Sequence, residues 1–311
     1  MEFSHKPVMP NEVLRCLAPE RGGVFADGTL GGGGHAELVL SALLQDGRLV
    51  GIDRDGDALA AASRRLARFG DRFTAVRGNF FDIRSILGQL HIEKLDGMLV
   101  DLGVSSYQLD NPARGFSYHV DAPLDMRMDQ SAPFSAYDVV NGYSHGELAR
   151  ILREYGEEKW ASRIASFIVE ARQKKPIRTT FELVDIVRAA IPNAARREGG
   201  HPAKRTFQAI RVEVNGELAG LKQAVEDMVD CLAPGGMLAV LTFQSLEDRI
   251  VKKTFAELQD PCTCPKSAPY CVCGKKPVIR ILTKKPLEAT DEELSENPRA
   301  KSAKLRAVEK L

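Results

Sequence analysis

The chain has 311 residues, of which 44% are hydrophobic and 27% are charged, and its formal net charge is +1. This composition is typical of globular proteins and excludes a disordered, collagen-like or coiled-coil chain. No apolar run approaches the roughly 20 residues that a membrane span needs, and the start lacks the apolar stretch of a secretory signal. We therefore expect a cytoplasmic protein with no membrane partner.

The first hundred residues alternate short apolar runs with amphipathic segments. The runs predict strands at 24–26, 49–53, 73–76 and 95–101, and the segments between them predict helices at 36–44, 58–69 and 83–90. Strands that alternate with helices indicate a doubly wound, mostly parallel α/β sheet with helices on both faces.

The pattern changes over the next hundred residues. Residues 107–133 are rich in Pro, Gly, Asp and Met and predict a long loop of the kind that usually has a function. Helices are then predicted at 147–155, 159–172, 180–191, 218–232 and 246–258, with strands at 237–242 and 278–282. We predict one α/β domain made of 1–105 and 207–311, interrupted by a loop and an all-helical insertion at 106–206.

Basic residues concentrate in two segments. Residues 172–205 contain nine Lys/Arg against three Asp/Glu, and residues 275–310 contain ten against six. Such segments suit a polyanionic partner, but they are equally compatible with solvated helix faces. Charge alone does not decide between these interpretations.

A glycine-rich stretch, Asp27–His35, follows the first predicted strand. Ligands of open α/β sheets bind at this end of the strands, and Asp53, at the end of the next strand, can reach the ribose hydroxyls of an adenosine. The spacing allows either a nicotinamide dinucleotide or S-adenosylmethionine. Asp27, placed to hold an amino-acid ammonium, and the bulk of His35 favour S-adenosylmethionine, with Gly31 among its contacts.

Short motifs run through the whole chain in a fixed order. They are Asp101-Leu102-Gly103-Val104-Ser105-Ser106, Gln108-Leu109-Asp110, Arg114-Gly115-Phe116-Ser117, Pro123-Leu124-Asp125-Met126-Arg127-Met128, Tyr155-Gly156-Glu157-Glu158, Thr206-Phe207-Gln208-Ala209-Ile210-Arg211, Val214-Asn215-Gly216-Glu217-Leu218, Ser245-Leu246-Glu247-Asp248-Arg249 and Asn297-Pro298-Arg299-Ala300-Lys301-Ser302. With these motifs the sequence resembles the MraW (or RsmH) family of bacterial 16S ribosomal RNA cytosine-N4 methyltransferases.

The resemblance implies a Rossmann-like class I methyltransferase domain with an inserted helical domain. It also implies S-adenosylmethionine as methyl donor and a decoding-centre cytidine of 16S rRNA, within the small ribosomal subunit, as acceptor. The donor contacts that it implies are Gly33, Gly34, His35, Asp53, Phe80, Asp101 and Gln108. The family usually has His where this chain has Gln244, which can hydrogen-bond but cannot transfer a proton. A homodimer is left open.

Cytosine N4 is a poor nucleophile because its lone pair is delocalised into the ring. Methyl transfer to it needs positioning, and it needs acceptors for the amine hydrogens. Asp101, at the end of the fourth strand, and Ser105, on the loop that follows, are predicted catalytic residues, with Asn215 and Asp125 as secondary candidates. A strand-end cap is the alternative for Asp101, and a loop or helix cap is the alternative for Asn215 and Asp125.

Two further features have open interpretations. Phe80 can stack on an adenine or pack in a core, although strand alternation favours Phe81 as the core residue. The second feature is a group of four cysteines within twelve residues: Cys262, Cys264, Cys271 and Cys273. These cysteines fit one structural zinc or a loop of reduced thiols.

Two other classes of function compete with rRNA methylation. A nicotinamide-dependent oxidoreductase would use the same glycine loop. A non-catalytic RNA-binding factor would keep the fold without the chemistry.

Overall fold

The computed structural model describes residues 6–193, 200–265 and 270–311, and for Ser106 it describes the backbone alone. The chain divides into two units, Met1–Gly103 with Gly220–Leu311 and Val104–Ala219. The second unit therefore ends at Ala219 and not at the predicted residue 206. The reason is the helix Lys204–Asn215, whose apolar residues Phe207 and Ile210 belong to the core of the second unit.

Among the described residues, seven strands form one sheet in the first unit. They are β1 (Val24–Asp27), β2 (Arg48–Asp53), β3 (Phe73–Arg77), β4 (Leu95–Asp101), β5 (Leu232–Thr242), β6 (Ile279–Ile281) and β7 (Lys304–Lys310). Their order is β3-β2-β1-β4-β5-β7-β6. The pairs from β3 to β5 are parallel, and β7 runs antiparallel to both β5 and β6.

Helices flank the strands and make up most of the second unit. In chain order they are α1 (Pro10–Leu17), α2 (Gly34–Ala42), α3 (Gly56–Leu66), α4 (Ile83–Gln89), α5 (Ser106–Asp110), α6 (Ala136–Gly142), α7 (His145–Glu154), α8 (Ala161–Lys174), α9 (Thr180–Ala190), α10 (Lys204–Asn215), α11 (Leu221–Cys231), α12 (Ser245–Gln259) and α13 (Asp291–Glu296).

The central strands are apolar because helices cover both of their faces. In β4, Gly97, Met98, Leu99 and Val100 are buried one after another, which is the pattern of a parallel strand between two helical layers. Leu99 belongs to a core cluster that also contains apolar residues of β1, β2, β5, α2 and α3. This core fixes the carboxyl ends of β1, β2 and β4, where the candidate site lies.

The second unit has a core of its own. Each of α7, α8 and α9 buries apolar residues at helical spacing, and α8 packs against both α7 and α9. The loop that precedes α6 also contributes buried side chains, such as Leu124 and Met126.

The predicted strands and helices that were given bounds are confirmed to within a few residues, with corrections in two places. The predicted loop 107–133 contains α5 and the 3-10 turn Pro112–Arg114. The strand predicted at 237–242 begins earlier, at Leu232, and Pro234-Gly235-Gly236 lies inside it at an irregularity in the pairing of β5 with β4. In the part of the chain that the structure describes, no helix is long and apolar enough to span a membrane.

Candidate functional site

Three aspartates lie at the carboxyl ends of three adjacent strands. Asp53 ends β2, Asp27 ends β1 and Asp101 ends β4. Because β2, β1 and β4 are parallel neighbours, these ends meet at one edge of the sheet. The predicted position of these three aspartates at strand ends is confirmed, and their role as site residues stays a prediction.

Asp53 anchors the glycine loop to β2. Its Oδ2 accepts a hydrogen bond from the Gly31 N–H at 2.8 Å, and its Oδ1 accepts one from the Asp55 N–H at 2.9 Å. Burial raises the pKa of Asp53, and the two backbone hydrogen bonds oppose that rise. Each carboxylate oxygen has a second lone pair, so Asp53 can still accept hydrogen bonds from a diol.

Thr29, which sequence reasoning missed, connects the other two aspartates. Its N–H donates to Asp27 Oδ1 at 3.1 Å, and its Oγ1 accepts from the Asp101 N–H at 2.6 Å. Asp27 is 2% exposed, and burial raises its pKa to about 7. Thr29 could have been found in the sequence from its position in the glycine-rich stretch, just after the strand-end acid Asp27.

Asp101 is the least satisfied of the three acids. Its side chain is 28% exposed, yet Oδ1 is buried and has no hydrogen-bond partner among the described residues. Burial raises the pKa of Asp101 to about 8, and the negative charges of Asp27 and Glu247 add to the rise. An acid with such a pKa is a candidate functional group, because a partner of positive charge or a hydrogen-bond donor would relieve it.

His35 lies beside Asp101, in the first turn of α2. It is 7% exposed, and burial lowers its pKa to about 4, so its imidazole is neutral at pH 7. Its Nε2 lies 3.8 Å from Asp101 Oδ2, which is too long for a hydrogen bond, and at neutral pH the two do not form an ion pair. Within residues 6–193, 200–265 and 270–311, neither ring nitrogen has a hydrogen-bond partner. Buried polar atoms without partners indicate that a ligand can be bound here.

The glycines let the backbone approach its neighbours closely. Gly33 has a φ of 77°, and a Cβ there would lie 3.2 Å from side-chain atoms of Ala62 and Leu66 on α3. Gly33 caps α2, whose first residue is Gly34. A glycine at this position leaves the N-terminus of α2 without a side-chain cap.

Phe80 packs against the start of the glycine loop. A Cβ on Gly28 would lie 2.9 Å from Phe80 Cβ, so the loop needs a glycine there. Phe80 is 8% exposed, whereas Phe81 is half-buried. The expectation that Phe81 is the core residue is wrong, because both residues stand in a 3-10 turn after β3, where strand alternation does not apply.

Ser105 and Gln108 belong to the second unit and form a capping box at the start of α5. The Gln108 N–H donates to Ser105 Oγ at 3.2 Å, and the Ser105 N–H donates to Gln108 Oε1 at 3.0 Å. The Ser105 hydroxyl thus satisfies the helix end. Gln108 is buried, at 4% exposure.

Asn215, at the end of α10, holds a loop of the second unit. Its Oδ1 accepts from the Met128 N–H at 2.7 Å, and its Nδ2 donates to the Met126 carbonyl at 2.7 Å and to the Arg211 carbonyl at 2.9 Å. Met126 has a φ of 57°, an unusual conformation for a residue with a side chain. These bonds match the capping alternative for Asn215.

The same loop is held by two arginines that sequence reasoning did not assign. The buried Arg114 donates to the carbonyls of Arg127 and Met128 at 2.9 Å each. Arg127 pairs with Asp125 through Nε and Nη2. Asp125 therefore has a bracing role within the loop.

Glu247 and Gln244 stand at the start of α12, in the first unit. Glu247 Oε2 accepts from the N–H groups of Phe243 and Gln244 at 3.1 Å each. The side-chain oxygen of Gln244 is buried at this helix start. Glu247 also contributes to the raised pKa of Asp101. Glu247 could have been found in the sequence from its place in the Ser-Leu-Glu-Asp-Arg motif.

The basic segment 172–205 is partly committed to internal contacts. Arg172 donates to the carbonyls of Val140 and Tyr143, and Arg205 donates to the Glu157 carbonyl. Lys174 and Lys175 form exposed ion pairs with glutamates. Arg196, Arg197 and Glu198 lie outside the described residues.

The four clustered cysteines come together in the first unit. The Sγ atoms of Cys262, Cys264, Cys271 and Cys273 all lie within 4.8 Å of one another. Their predicted grouping is thus confirmed.

The fold and the strand-end site define the class of protein. A parallel sheet with β7 inserted antiparallel between β5 and β6 is the sheet of the Rossmann-like, S-adenosylmethionine-dependent methyltransferases. The predicted fold class is confirmed.

Comparison with known proteins gives the family. The model of the MraW methylase family matches residues 2–311. The chain is 56% identical over 312 residues to the ribosomal RNA small subunit methyltransferase H of Heliobacterium modesticaldum, with both chains fully covered. It is 56% identical over 311 residues to the proteins of that name from Symbiobacterium thermophilum, of which 98% is covered, and Geobacter sulfurreducens, of which 100% is covered; all of this chain is covered in both cases. The chain belongs to the MraW methylase family, which excludes the oxidoreductase alternative.

Proposed function

We propose that this protein transfers a methyl group from S-adenosylmethionine to N4 of a cytidine in 16S rRNA of the small ribosomal subunit. The family is one of methylases, and the relatives are named as methyltransferases of small-subunit rRNA. The observation that carries the proposal is the pair of His35 and Asp101 at the carboxyl end of the sheet, whose buried polar atoms have no hydrogen-bond partner in the described parts of the chain.

The residues of the site fit this donor. When bound, S-adenosylmethionine supplies a methyl group on a positively charged sulfur, and it also carries an ammonium. Asp27 and Asp101, whose pKa values are raised to about 7 and about 8, would be stabilised in their ionised forms by such positive charges. Asp53 would accept hydrogen bonds from the ribose, and Phe80 would lie against the adenine.

Asp101 is the proposed catalytic residue. Its carboxylate would accept a hydrogen bond from the cytosine amine, which orients the nitrogen lone pair. When the N–C bond forms and the methyl–sulfur bond of the donor breaks, the methylated amine becomes positively charged, and it would lose its proton to the ionised Asp101 carboxylate. His35, neutral at pH 7, would form hydrogen bonds with the donor through its ring nitrogens.

The remaining candidates have positioning roles in this proposal. Ser105 would fix the start of α5 and the orientation of the Gln108 side chain through the capping box. Asn215 would hold the backbone at Met126 and Met128. Gln244, which replaces the usual family histidine, would act by hydrogen bonding alone.

Mass spectrometry of 16S rRNA from cells with and without the gene tests the proposal. We expect one N4-methylated cytidine to disappear with the gene. It should return with the wild-type gene but not with Asp101→Ala. Methylation assays with naked 16S rRNA and with 30S subunits then identify the substrate form. Unchanged cytidine methylation in the deletion strain would overturn the proposed activity. Full return of the methylated cytidine with a stably folded Asp101→Ala protein would remove Asp101 from catalysis.

A further inference from the structure

The four clustered cysteines lie on the connection between α12 and β6, away from the aspartates of the candidate site in the sequence. Hydrogen bonds close the base of this connection. The Val278 N–H donates to the Leu258 carbonyl at 3.0 Å, and the Ile281 N–H donates to Gln259 Oε1 at 2.9 Å. The cysteines thus stand on an excursion of the chain whose two ends are fixed.

The described part of this excursion has no apolar core. Residues 260–265 and 270–278 contain no buried residue, and Tyr270 and Val272 are each 74% exposed. Burial of apolar surface therefore does not explain why four thiols converge there. Chain segments that are too small for a core are usually stabilised by disulfides or a metal.

The sulfur positions have the dimensions of a single-ion site. In a tetrahedral zinc site with Zn–S bonds of about 2.3 Å, the sulfurs lie about 3.8 Å apart. Four of the Sγ–Sγ distances are 3.4 Å (Cys271–Cys273), 3.5 Å (Cys262–Cys271), 3.8 Å (Cys262–Cys273) and 3.9 Å (Cys264–Cys271).

Other occupants fit this geometry less well. A disulfide would bring two sulfurs to about 2.05 Å and would leave the other two without a role. A cluster of several irons is larger than one ion and would hold its thiolates further apart than the 4.8 Å that encloses all four sulfurs. In addition, the Val272 N–H points at Cys264 Sγ at 3.3 Å, a backbone contact of the kind that supports metal-bound thiolates.

We propose that Cys262, Cys264, Cys271 and Cys273 bind one zinc ion as a closed, structural site with four thiolate ligands. All four ligands come from the protein, so no coordination position remains for water or substrate. The ion fastens the α12–β6 connection, and zinc binding takes place independently of methyl transfer.

Metal analysis of the full-length protein, purified without added metal or chelator, tests this directly. We expect about one zinc per chain in the wild type, and none in the double variant Cys262→Ser with Cys273→Ser. Cys16→Ser, which changes a half-buried cysteine outside the cluster, is the matched control and should keep its zinc. Wild-type protein that contains no zinc, and takes up none when zinc is added under reducing conditions, would overturn the proposal. Bound iron in place of zinc would also overturn it.

Limited proteolysis tests the order of this segment separately from the folding of the whole protein. Lys275 is exposed and lies next to the cluster, so trypsin cleavage after Lys275 can report on the order of this segment. Chelation of zinc from the wild type should accelerate this cleavage, and zinc should reverse the effect. The Cys16→Ser control should behave in the same way. Equal cleavage rates with and without zinc, or a thiol count that reveals a disulfide within the cluster, would overturn the proposal. Cleavage does not depend on methylation, so this result is separate from that of the proposed function.

Discussion

The buried carboxyl group of Asp101 should lower the stability of the ligand-free protein as the pH rises. Its Oδ1 is buried without a partner among the described residues, and its pKa is raised to about 8. An unfolded aspartate has a pKa of about 3.9. Between these values the native state holds a proton that the unfolded state has lost, so the contribution of Asp101 to stability falls as the pH rises.

Asp101→Asn removes this titration. We expect the melting temperature of the variant, relative to the wild type, to rise between about pH 5 and about pH 9, while methyl transfer is lost. Asp46→Asn, the same substitution at an exposed position, is the control. Thermal unfolding measured across this range decides, and a difference for Asp101→Asn that is constant with pH would show that the carboxyl ionises freely in the native state.

Asp53 gives a second prediction about a single residue. Asp53→Ala should weaken S-adenosylmethionine binding by about 1–3 kcal/mol, because the ribose loses a charged hydrogen-bond acceptor and the Gly31 N–H loses its anchor. Isothermal titration calorimetry measures the change, with Asp46→Ala as the control on an exposed site. Affinity equal to that of the wild type would exclude Asp53 from the donor site.

The elements differ in how clearly the sequence predicts them. The strands β1, β2 and β4 are predictable because each is an apolar run that ends in an acid. In contrast, β7 contains Lys304, Arg306, Glu309 and Lys310, and these charges interrupt its apolar pattern. The structure explains the exception, since Arg306 is 6% exposed and pairs with Asp248 on α12 at 2.6 Å.

The candidate site, like the set of strands, was predictable from the sequence only in part. Asp27, Asp53 and Asp101 follow from the rule that parallel strands end at one edge of the sheet. The bracing of Met126 and Met128 by Asn215 was not predictable, because the hydrogen bonds join residues that are more than eighty positions apart. Side-chain contacts between distant segments carry no local pattern in a single sequence.

The basic segment provides a prediction at the scale of the element. Lys174 and Lys175 are 76% and 74% exposed and pair with Glu170 and Glu182. Exposed pairs contribute about 0–1 kcal/mol, so both lysines can exchange these partners for phosphates. Replacing Lys174, Lys175 and Arg178 with Gln should therefore weaken RNA binding without changing S-adenosylmethionine affinity.

The salt dependence of RNA binding measures the effect. Removing one lysine–phosphate ion pair should reduce the slope of log affinity against log salt by roughly 0.7–0.9. The matched control replaces Lys252 and Lys253, on α12 of the first unit, with Gln. This change should leave the slope unchanged. Equal slopes for the wild type and the triple variant would assign the segment to a solvated helix face.

At the scale of the whole molecule, the proposed donor-binding residues and the proposed RNA-binding segment belong to different units. The first unit contains Asp27, His35, Asp53 and Asp101, whereas the second contains the braced loop and the basic segment. The predicted organisation, one α/β domain interrupted at 106–206, stays a prediction, and the second unit of the structure spans Val104–Ala219. The helix α10 could not be placed from the sequence, because its apolar face gives no indication of which core it joins.

The division predicts that the second unit folds by itself. Its core cluster consists of residues from the range Val104–Ala219, and its length is within the usual range for a domain. An isolated fragment 104–219 should unfold cooperatively, with a helical circular dichroism spectrum. It should bind RNA with a salt dependence, but it should not bind S-adenosylmethionine, because the strand-end aspartates are absent.

Leu148→Ala in the fragment should lower its melting temperature, since a buried Leu-to-Ala change costs about 2–5 kcal/mol. A fragment without a cooperative transition would show that the core of the second unit depends on the rest of the chain.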